Sequence, residues 1–250
     1  MKKIIIIGAG AMGSAFAVPC VDNKNDVTIV GTHLENDLIE KIKSNDQIHP
    51  ALKTKLSNDI QFEKFEKLQT ILDQDLDIIV CGVSSIGIEW FVQQISKKYK
   101  KGIPIILLTK GLSILDNELT TLSDKIRTLL SKDGYSEINI SAIKGPCLAA
   151  GLANKMRTGT IIANQKVKEA QLLKGIISTN YYSTEISEDI NGVELSGAIK
   201  NIYSMLIGAS EGLSNSKASK EIQSKFFLNT AASLIHRSIS EMVEFVSHYG

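Results

Sequence analysis

The first thirteen residues constrain the fold most. Four isoleucines, Ile4 to Ile7, run directly into Gly8-Ala9-Gly10-Ala11-Met12-Gly13. A short, wholly apolar run suits a strand buried on both faces. The glycine spacing has a physical reading. Gly8 permits a tight turn out of the strand, Gly10 lets backbone approach a pyrophosphate, and Gly13 lets the following helix pack closely. The start of that helix then offers free N–H groups and a positive dipole end. A lone GxGxxG is a weak signal; here a strand precedes it, a helix that Pro19 helps to end follows, and a second strand comes at Val27. The reading assigns Gly8, Gly10, Ala11, Met12 and Gly13 to a dinucleotide, against the plainer alternative of a glycine-rich turn with no ligand. Met1-Lys2-Lys3, the apolar run and Ala15-Phe16-Ala17 also imitate a secretory signal. The regular glycines and the pattern that continues beyond them argue against it.

That pattern alternates. Ile4 to Ile7, Val27 to Val30, Leu76 to Cys81, Ile103 to Leu108, Ile138 to Ile143 and Thr160 to Ala163 read as buried strands. Stretches near 35–43, 64–72, 86–99 and 116–131 read as helices, with Ile86, Trp90, Phe91, Ile95 and Tyr99 at helical spacing. The fold class expected is α/β, a Rossmann-like doubly wound sheet. Near residue 189 the texture changes to two long helical patterns. One runs from Asn191 to about Glu211 and opens on a capping box of Asn191 and Glu194. The other runs from about Ser219 to Ser247, with Phe227, Ala231, Leu234, Ile235, Ile239, Met242 and Val246 as its apolar stripe. The expected division is a dinucleotide-binding domain over 1–188 and a partial, all-helical substrate domain over 189–250, with a ligand cleft between them.

Composition excludes several functions. Apolar residues make up 43% of the 250 and charged residues 22%, which is globular. Lys plus Arg number 28 against 27 Asp plus Glu, so the net charge of +1 gives no reason to expect a nucleic acid or an anionic membrane. No stretch is long and apolar enough to span a bilayer. Cys20, Cys81 and Cys147 are odd in number and far apart, as in a chain kept in a reducing, cytoplasmic setting. His33, His49, His236 and His248 lack metal-ligand spacing, so no metal is expected.

Cofactor choice rests on the tip of the second strand, Val30-Gly31-Thr32-His33. A carboxylate there would hold a ribose 2′-hydroxyl. None sits at the tip, and Glu35 comes slightly late. Thr32 and His33 tolerate a 2′-phosphate without an arginine to clamp it, so the expectation is NAD or NADP, with both used. Two lysines stand out. Lys110 follows a buried strand, where open α/β sheets bind ligands; its plainer reading is a solvated loop lysine. Lys200 is the only cation in Val193–Tyr203, a segment otherwise dominated by apolar and small residues. Desolvation would lower its pKa and suit it to proton transfer at a carbonyl or alcohol; its plainer reading is a side chain that snorkels to the helix edge. Gly145-Pro146-Cys147 reads as a tight, ligand-facing turn, with no visible activator for a cysteine nucleophile.

Together these segments resemble the bacterial-type NAD(P)-dependent glycerol-3-phosphate dehydrogenase family. The matches are GAGAMGSAFA at 8–17, VTIVGTHLEND at 27–37, HPALKTKLSNDI at 49–60, LLTKGL at 107–112, IKGPCLAAGLA at 143–153, DINGVELSGAIKNIYSMLIGASEGL at 189–213 and NTAASLIHRSISEM at 229–242. VELSGAIKN is the most specific. The resemblance implies interconversion of sn-glycerol 3-phosphate and dihydroxyacetone phosphate, which supplies glycerol phosphate for phospholipid synthesis. It implies that Lys200 is the catalytic proton donor and acceptor and that Lys110 contacts substrate and cofactor. It implies that Gly145, Cys147 and Asn201 meet substrate and Ala149 the cofactor. Its partners would be a phosphorylated small molecule and a second copy of the chain, since relatives are often dimers. Departures are Met12 for a frequent tryptophan, Thr32 for an arginine common in NADP users, and Gly151 for a glutamate. The family's later Gly-Asp-Leu and Gly-Arg-Asn segments have no counterpart before Gly250, which reads as C-terminal truncation. The competing readings are a ketopantoate-reductase-like enzyme, disfavoured by VELSGAIKN, and a nucleotide-binding module without catalysis.

Overall fold

The structure, a computed structural model, describes residues 1–100, 102–214 and 227–249. In chain order its strands are β1 (Lys3–Ile7), β2 (Asp26–Val30), β3 (Ile48–His49), β4 (Thr54–Lys55), β5 (Ile60–Glu63), β6 (Ile78–Cys81), β7 (Ile105–Leu107), β8 (Leu112–Leu115), β9 (Glu118–Thr121), β10 (Ile140–Lys144), β11 (Thr158–Ala163) and β12 (Tyr182–Ser187). Its α-helices are α1 (Ala11–Asp22), α2 (Asn36–Ser44), α3 (Leu68–Leu72), α4 (Ile88–Ser96), α5 (Leu122–Lys132), α6 (Ala149–Ala153), α7 (Val167–Ile177), α8 (Ile190–Ser214) and α9 (Phe227–Tyr249). Eight strands form one sheet in the order β12-β11-β10-β7-β6-β1-β2-β5. All neighbours in it run parallel except β10 and β11, so β11 and β12 are reversed against the rest.

The isoleucine run explains the layering. Ile6 lies between Ile29 and Val80 in register. Side chains alternate across a strand. Ile4 and Ile6 therefore join the core that contains Phe16 of α1, whereas Ile5 and Ile7 join the core with Phe91 and Leu122. All four are fully buried, which is why the run carries no polar residue. The chain leaves β1 for β2 on one side and returns to β6 on the other. The sheet's switch point is thus between β1 and β6, where open α/β sheets form their ligand crevice.

The six anticipated strands are present, with ends shifted by up to two residues. Two sheet-edge strands were not anticipated. β5 and β12 alternate buried and exposed residues rather than forming continuous apolar runs, as suits an edge. The helix expected over 116–131 begins only at Leu122. Before it β8 and β9 form a hairpin whose turn residues, Asp116 and Asn117, have φ of 52° and 67°. Asp and Asn tolerate that region better than other side chains, and a two-residue hairpin needs it twice. Pro19 does not end α1 but sits inside it, three residues before Asp22. Ile86 is 93% exposed in a 3₁₀ turn ahead of α4, so it does not belong to that helix's apolar stripe.

At the second boundary the expected capping box is absent. Asp189 Oδ1 accepts from Gly192 N at 2.7 Å, while Glu194 points away into the protein. The part of the second long helix expected from Ser219 lies outside the described residues as far as 226. In α9, Ala231 is buried, but Ile235 and Ile239 are exposed, so the expected stripe is not one continuous buried face.

Candidate active site

The glycine turn occupies the C-terminal end of β1. Gly8 has φ +111°, and a Cβ on it would stand 2.7 Å from the carbonyl carbon of Gly82. A Cβ on Gly13 would stand 2.3 Å from Gly8 O. Neither position admits a side chain. Gly10 differs. The nearest atom to its ideal Cβ is Glu35 Oε1 at 3.8 Å, so the glycine there keeps open space over the start of α1. No side chain caps that helix. Open space beside an uncapped helix N-terminus is the arrangement that phosphate oxygens fit.

Several bonds hold the turn. Gly8 N donates to Val30 O at 2.9 Å and Gly82 N to Ile7 O at 2.8 Å. Buried His49 braces it from below. Its Nδ1 accepts from Ala51 N and Leu52 N, which leaves Nε2–H to donate to Ala9 O at 3.0 Å. Those bonds give His49 a structural part in holding the turn. Among the described residues no cluster of His, Cys, Asp and Glu could hold a metal.

Beside the turn lies a cavity of about 470 Å³, lined by Gly10, Thr32, His33, Glu35, Gly82 and Trp90 among others. His33, Phe65 and Trp90 form an aromatic group, with His33 and Trp90 centroids 5.3 Å apart. Thr32 and His33, assigned from sequence to the cofactor, therefore do border this cavity. The aromatic group was not anticipated, because its members come from three separate segments.

The lysines gather at the same edge of the sheet. Lys110 follows β7 and is half-buried. Burial, and after it the charge of Lys200, hold its ammonium below the usual lysine range. Lys200 projects from α8 and is also only half-buried, so the desolvated lysine expected at that position is not found there. It lines a cavity of about 440 Å³ with Lys144, Gly145, Ser196, Gly197 and Met242. Asn201, next in sequence, is exposed and does not line that cavity.

A lysine buried beside this cavity is Lys144, at the end of β10 and 3% exposed. The strand expected to end at Ile143 runs on to Lys144, a residue outside the expected site. The available signal was a lysine ending an apolar strand immediately before Gly-Pro. Its Nζ donates to Thr109 O at 2.6 Å and to Leu107 O at 3.3 Å, one and three residues ahead of Lys110. Its stem lies against Gly197, where a Cβ would come within 3.2 Å. Burial pushes its pKa down to about 8, and the charge of Glu194 offsets part of that. Glu194 is fully buried, and Oε2 accepts from Ser123 N at 3.2 Å. Burial raises its carboxyl despite Lys144 nearby.

The Gly145-Pro146-Cys147 turn adjoins these lysines. A Cβ on Gly145 would stand 2.8 Å from Gly159 O, so the turn presses directly on β11. Cys147 is buried, and that burial pushes its thiol up, against a thiolate nucleophile. Ala149 opens α6, packed against the core that includes α1.

The comparisons with known proteins agree with this geometry. The family model described as NAD-dependent glycerol-3-phosphate dehydrogenase N-terminus matches residues 3–170, and that for the C-terminus matches 189–250. An NADP(+)-dependent glycerol-3-phosphate dehydrogenase of Archaeoglobus fulgidus is 33% identical over 247 residues, covering 99% of this chain and 70% of that protein. A glycerol-3-phosphate dehydrogenase [NAD(P)+] of Mesoplasma florum is 30% identical over 258 residues, covering 100% of this chain and 69% of that one. The solved glycerol-3-phosphate dehydrogenase of Coxiella burnetii superposes with a TM-score of 0.81 at 22% identity, over 100% of this chain and 70% of the other, which speaks to the fold.

Proposed function

Because the chain belongs to the NAD-dependent glycerol-3-phosphate dehydrogenase family, we propose that it interconverts sn-glycerol 3-phosphate and dihydroxyacetone phosphate, with NAD or NADP as its cofactor. The observation that carries this reading is the meeting of two lysines from distant elements. Lys110 in the loop after β7 lies near enough to Lys200 on α8 for the charge of Lys200 to help hold its ammonium down, at the sheet edge where the glycine turn also lies.

The residues divide the work. The first N–H groups of α1 hold the pyrophosphate over Gly10, flanked by Ala11, Met12 and Gly13. Thr32 and His33 border the adenosine end, and Ala149 adjoins the cofactor. Bound there, the nicotinamide exchanges a hydride with C2 of the substrate. Lys200 gives a proton to the C2 oxygen during reduction and takes it back during oxidation. Lys110 stabilises negative charge on that oxygen or on the phosphate. Two ammonium groups that repel one another are relieved by a phosphate between them, so substrate affinity and lysine charge are linked. Gly145, Cys147 and Asn201 complete the substrate contacts in this reading; Gly145 lines the Lys200 cavity, and Cys147 and Asn201 lie off it.

The proposal assigns dinucleotide binding to residues 1–188 and the Lys200 helix to 189–250. It places the protein in the cytoplasm, in keeping with three buried, unpaired cysteines. Among the described residues no helix is long and apolar enough to cross a membrane. A homodimer is the proposed assembly; exposed Ile202, Met205 and Leu206 on α8 supply apolar surface. Sedimentation velocity would then give a species of twice the chain mass.

The test is NADH and NADPH oxidation with dihydroxyacetone phosphate, and with ketopantoate as the competing substrate. Turnover with dihydroxyacetone phosphate alone is expected. Turnover with ketopantoate alone, or dinucleotide binding with neither substrate consumed, contradicts the reading.

A further inference from the structure

The carboxylate of Glu35 reaches back from the start of α2 to the glycine turn. Oε2 accepts from Ala9 N at 3.0 Å and from Thr32 N at 2.8 Å. Oε1 lies 3.8 Å from the place a Gly10 Cβ would take. Glu35 is therefore late in sequence but not in space. Because Thr32 to Glu35 form a turn, with Glu35 N donating to Thr32 O at 2.9 Å, the carboxylate returns to the tip of β2. It lines the cavity that holds His33 and Trp90, and among the described residues no lysine or arginine lines that cavity with it.

We propose that Glu35 reads the adenosine ribose of the cofactor and sets a preference for NAD(H) over NADP(H), while both still bind. This rests on the dinucleotide reading of the glycine turn. Oε2 is occupied by the two backbone donors, which fixes the side chain's direction. Oε1 remains to accept from the ribose hydroxyls, as an acidic residue at the tip of β2 does in this fold. The same geometry opposes a 2′-phosphate in two ways. It sets a like charge beside the phosphate, with no lining cation to balance it. It also uses up the Ala9 and Thr32 N–H groups, two donors that would otherwise suit an anion. The preference would separate this chain from the Archaeoglobus fulgidus relative, whose name specifies NADP(+).

The test is equilibrium binding, which needs no turnover. NADH and NADPH are titrated by fluorescence into the full chain, and ADP-ribose and 2′-phospho-ADP-ribose are titrated by calorimetry to isolate the adenosine end. The wild type should bind NADH about tenfold to a hundredfold more tightly than NADPH, with the same order for the two ribose probes. Glu35→Gln keeps a carbonyl oxygen for the two N–H groups and removes the charge. It should bring the two affinities within about threefold, by tightening NADPH and weakening NADH. Thr32→Arg leaves Glu35 in place and should tighten NADPH alone, so a misfolded Glu35 variant does not protect the proposal. Equal wild-type affinities, or a preference that survives Glu35→Gln, overturn this inference and leave the proposed function standing. A wild type that binds none of the four ligands overturns both.

Discussion

The glycine-turn side and the lysine side of the crevice are built on opposite principles. The turn is made of backbone packed on backbone: Gly8 against Gly82, Gly13 against Gly8, with His49 below. Its polar groups are satisfied by neighbours, and its one open place is above Gly10. The lysine side is assembled from β7, β10, α5 and α8, and its charged groups depend on one another. Lys144 is held by two carbonyls, and the charge of Glu194 favours its ammonium from beyond ion-pair distance. Buried charges of this kind cost several kcal/mol unless each keeps its partner. The difference shows where stability and function part. In the proposed reading backbone complementarity seats the cofactor, and positive charge kept near the reacting atoms serves the proton transfer beside an anion.

Variants on the two sides should therefore fail differently. Lys200→Met should lower kcat by about 10²–10⁴-fold, the range for losing a positioned acid–base group, with the NADH Kd unchanged. Gly10→Val should do the reverse and weaken NADH at least about a hundredfold, because the new methyls fill the space reserved for phosphate oxygens. A Lys200 variant that lost cofactor binding, or a Gly10 variant that kept it, would break the division.

Lys144→Met comes next. It removes the ammonium that fixes Leu107 O and Thr109 O while keeping the stem against Gly197. We expect kcat/KM to fall about tenfold through a displaced Lys110, with NADH affinity within twofold of wild type. It also carries a pH signature. Since the folded-state pKa of Lys144 is about 8, below the ordinary lysine value of 10.5, the unfolded chain binds more protons between those limits. This group's contribution to stability therefore rises with pH from about 8 to 10.5. Chemical denaturation across that window should show the rise in the wild type relative to Lys144→Met; parallel curves would remove the assignment.

Trp90→Ala should weaken NADH by about tenfold or less by removing an aromatic platform at the adenosine end, with kcat at saturating cofactor preserved. Thr121→Ala should do least. Thr121 caps α5 by accepting from Asp124 N at 3.3 Å, so its loss should lower stability by about 1 kcal/mol with no change in NADH affinity.

The two sides also differed in what the sequence disclosed. The turn was legible because strand, glycines and helix are contiguous, and its spacing is a steric requirement that any such chain must meet. Lys110 was legible as the residue after a buried strand. Glu35 is slightly late by residue count, since counting along the chain does not reveal that the turn at Thr32 folds it back. Lys144 and Glu194 escaped for a related reason. Each ends or begins an element in a way that reads as solvation or capping, and only the packing of α8 on β10 buries them both. The Asp116-Asn117 hairpin was lost in a helical periodicity that its exposed Leu119 fits by accident.

The central claim is that hydride passes, within this crevice, between a nicotinamide seated on the glycine turn and C2 of a triose phosphate whose oxygen Lys200 serves. Mixing the protein with NADH deuterated at C4 and dihydroxyacetone phosphate, then analysing the product by mass spectrometry and NMR, tests it directly. The account predicts sn-glycerol 3-phosphate bearing one deuterium on C2, formed by the wild type and nearly absent with Lys200→Met. Bound dinucleotide with no deuterium transferred, or equal transfer by the Lys200 variant, would contradict it.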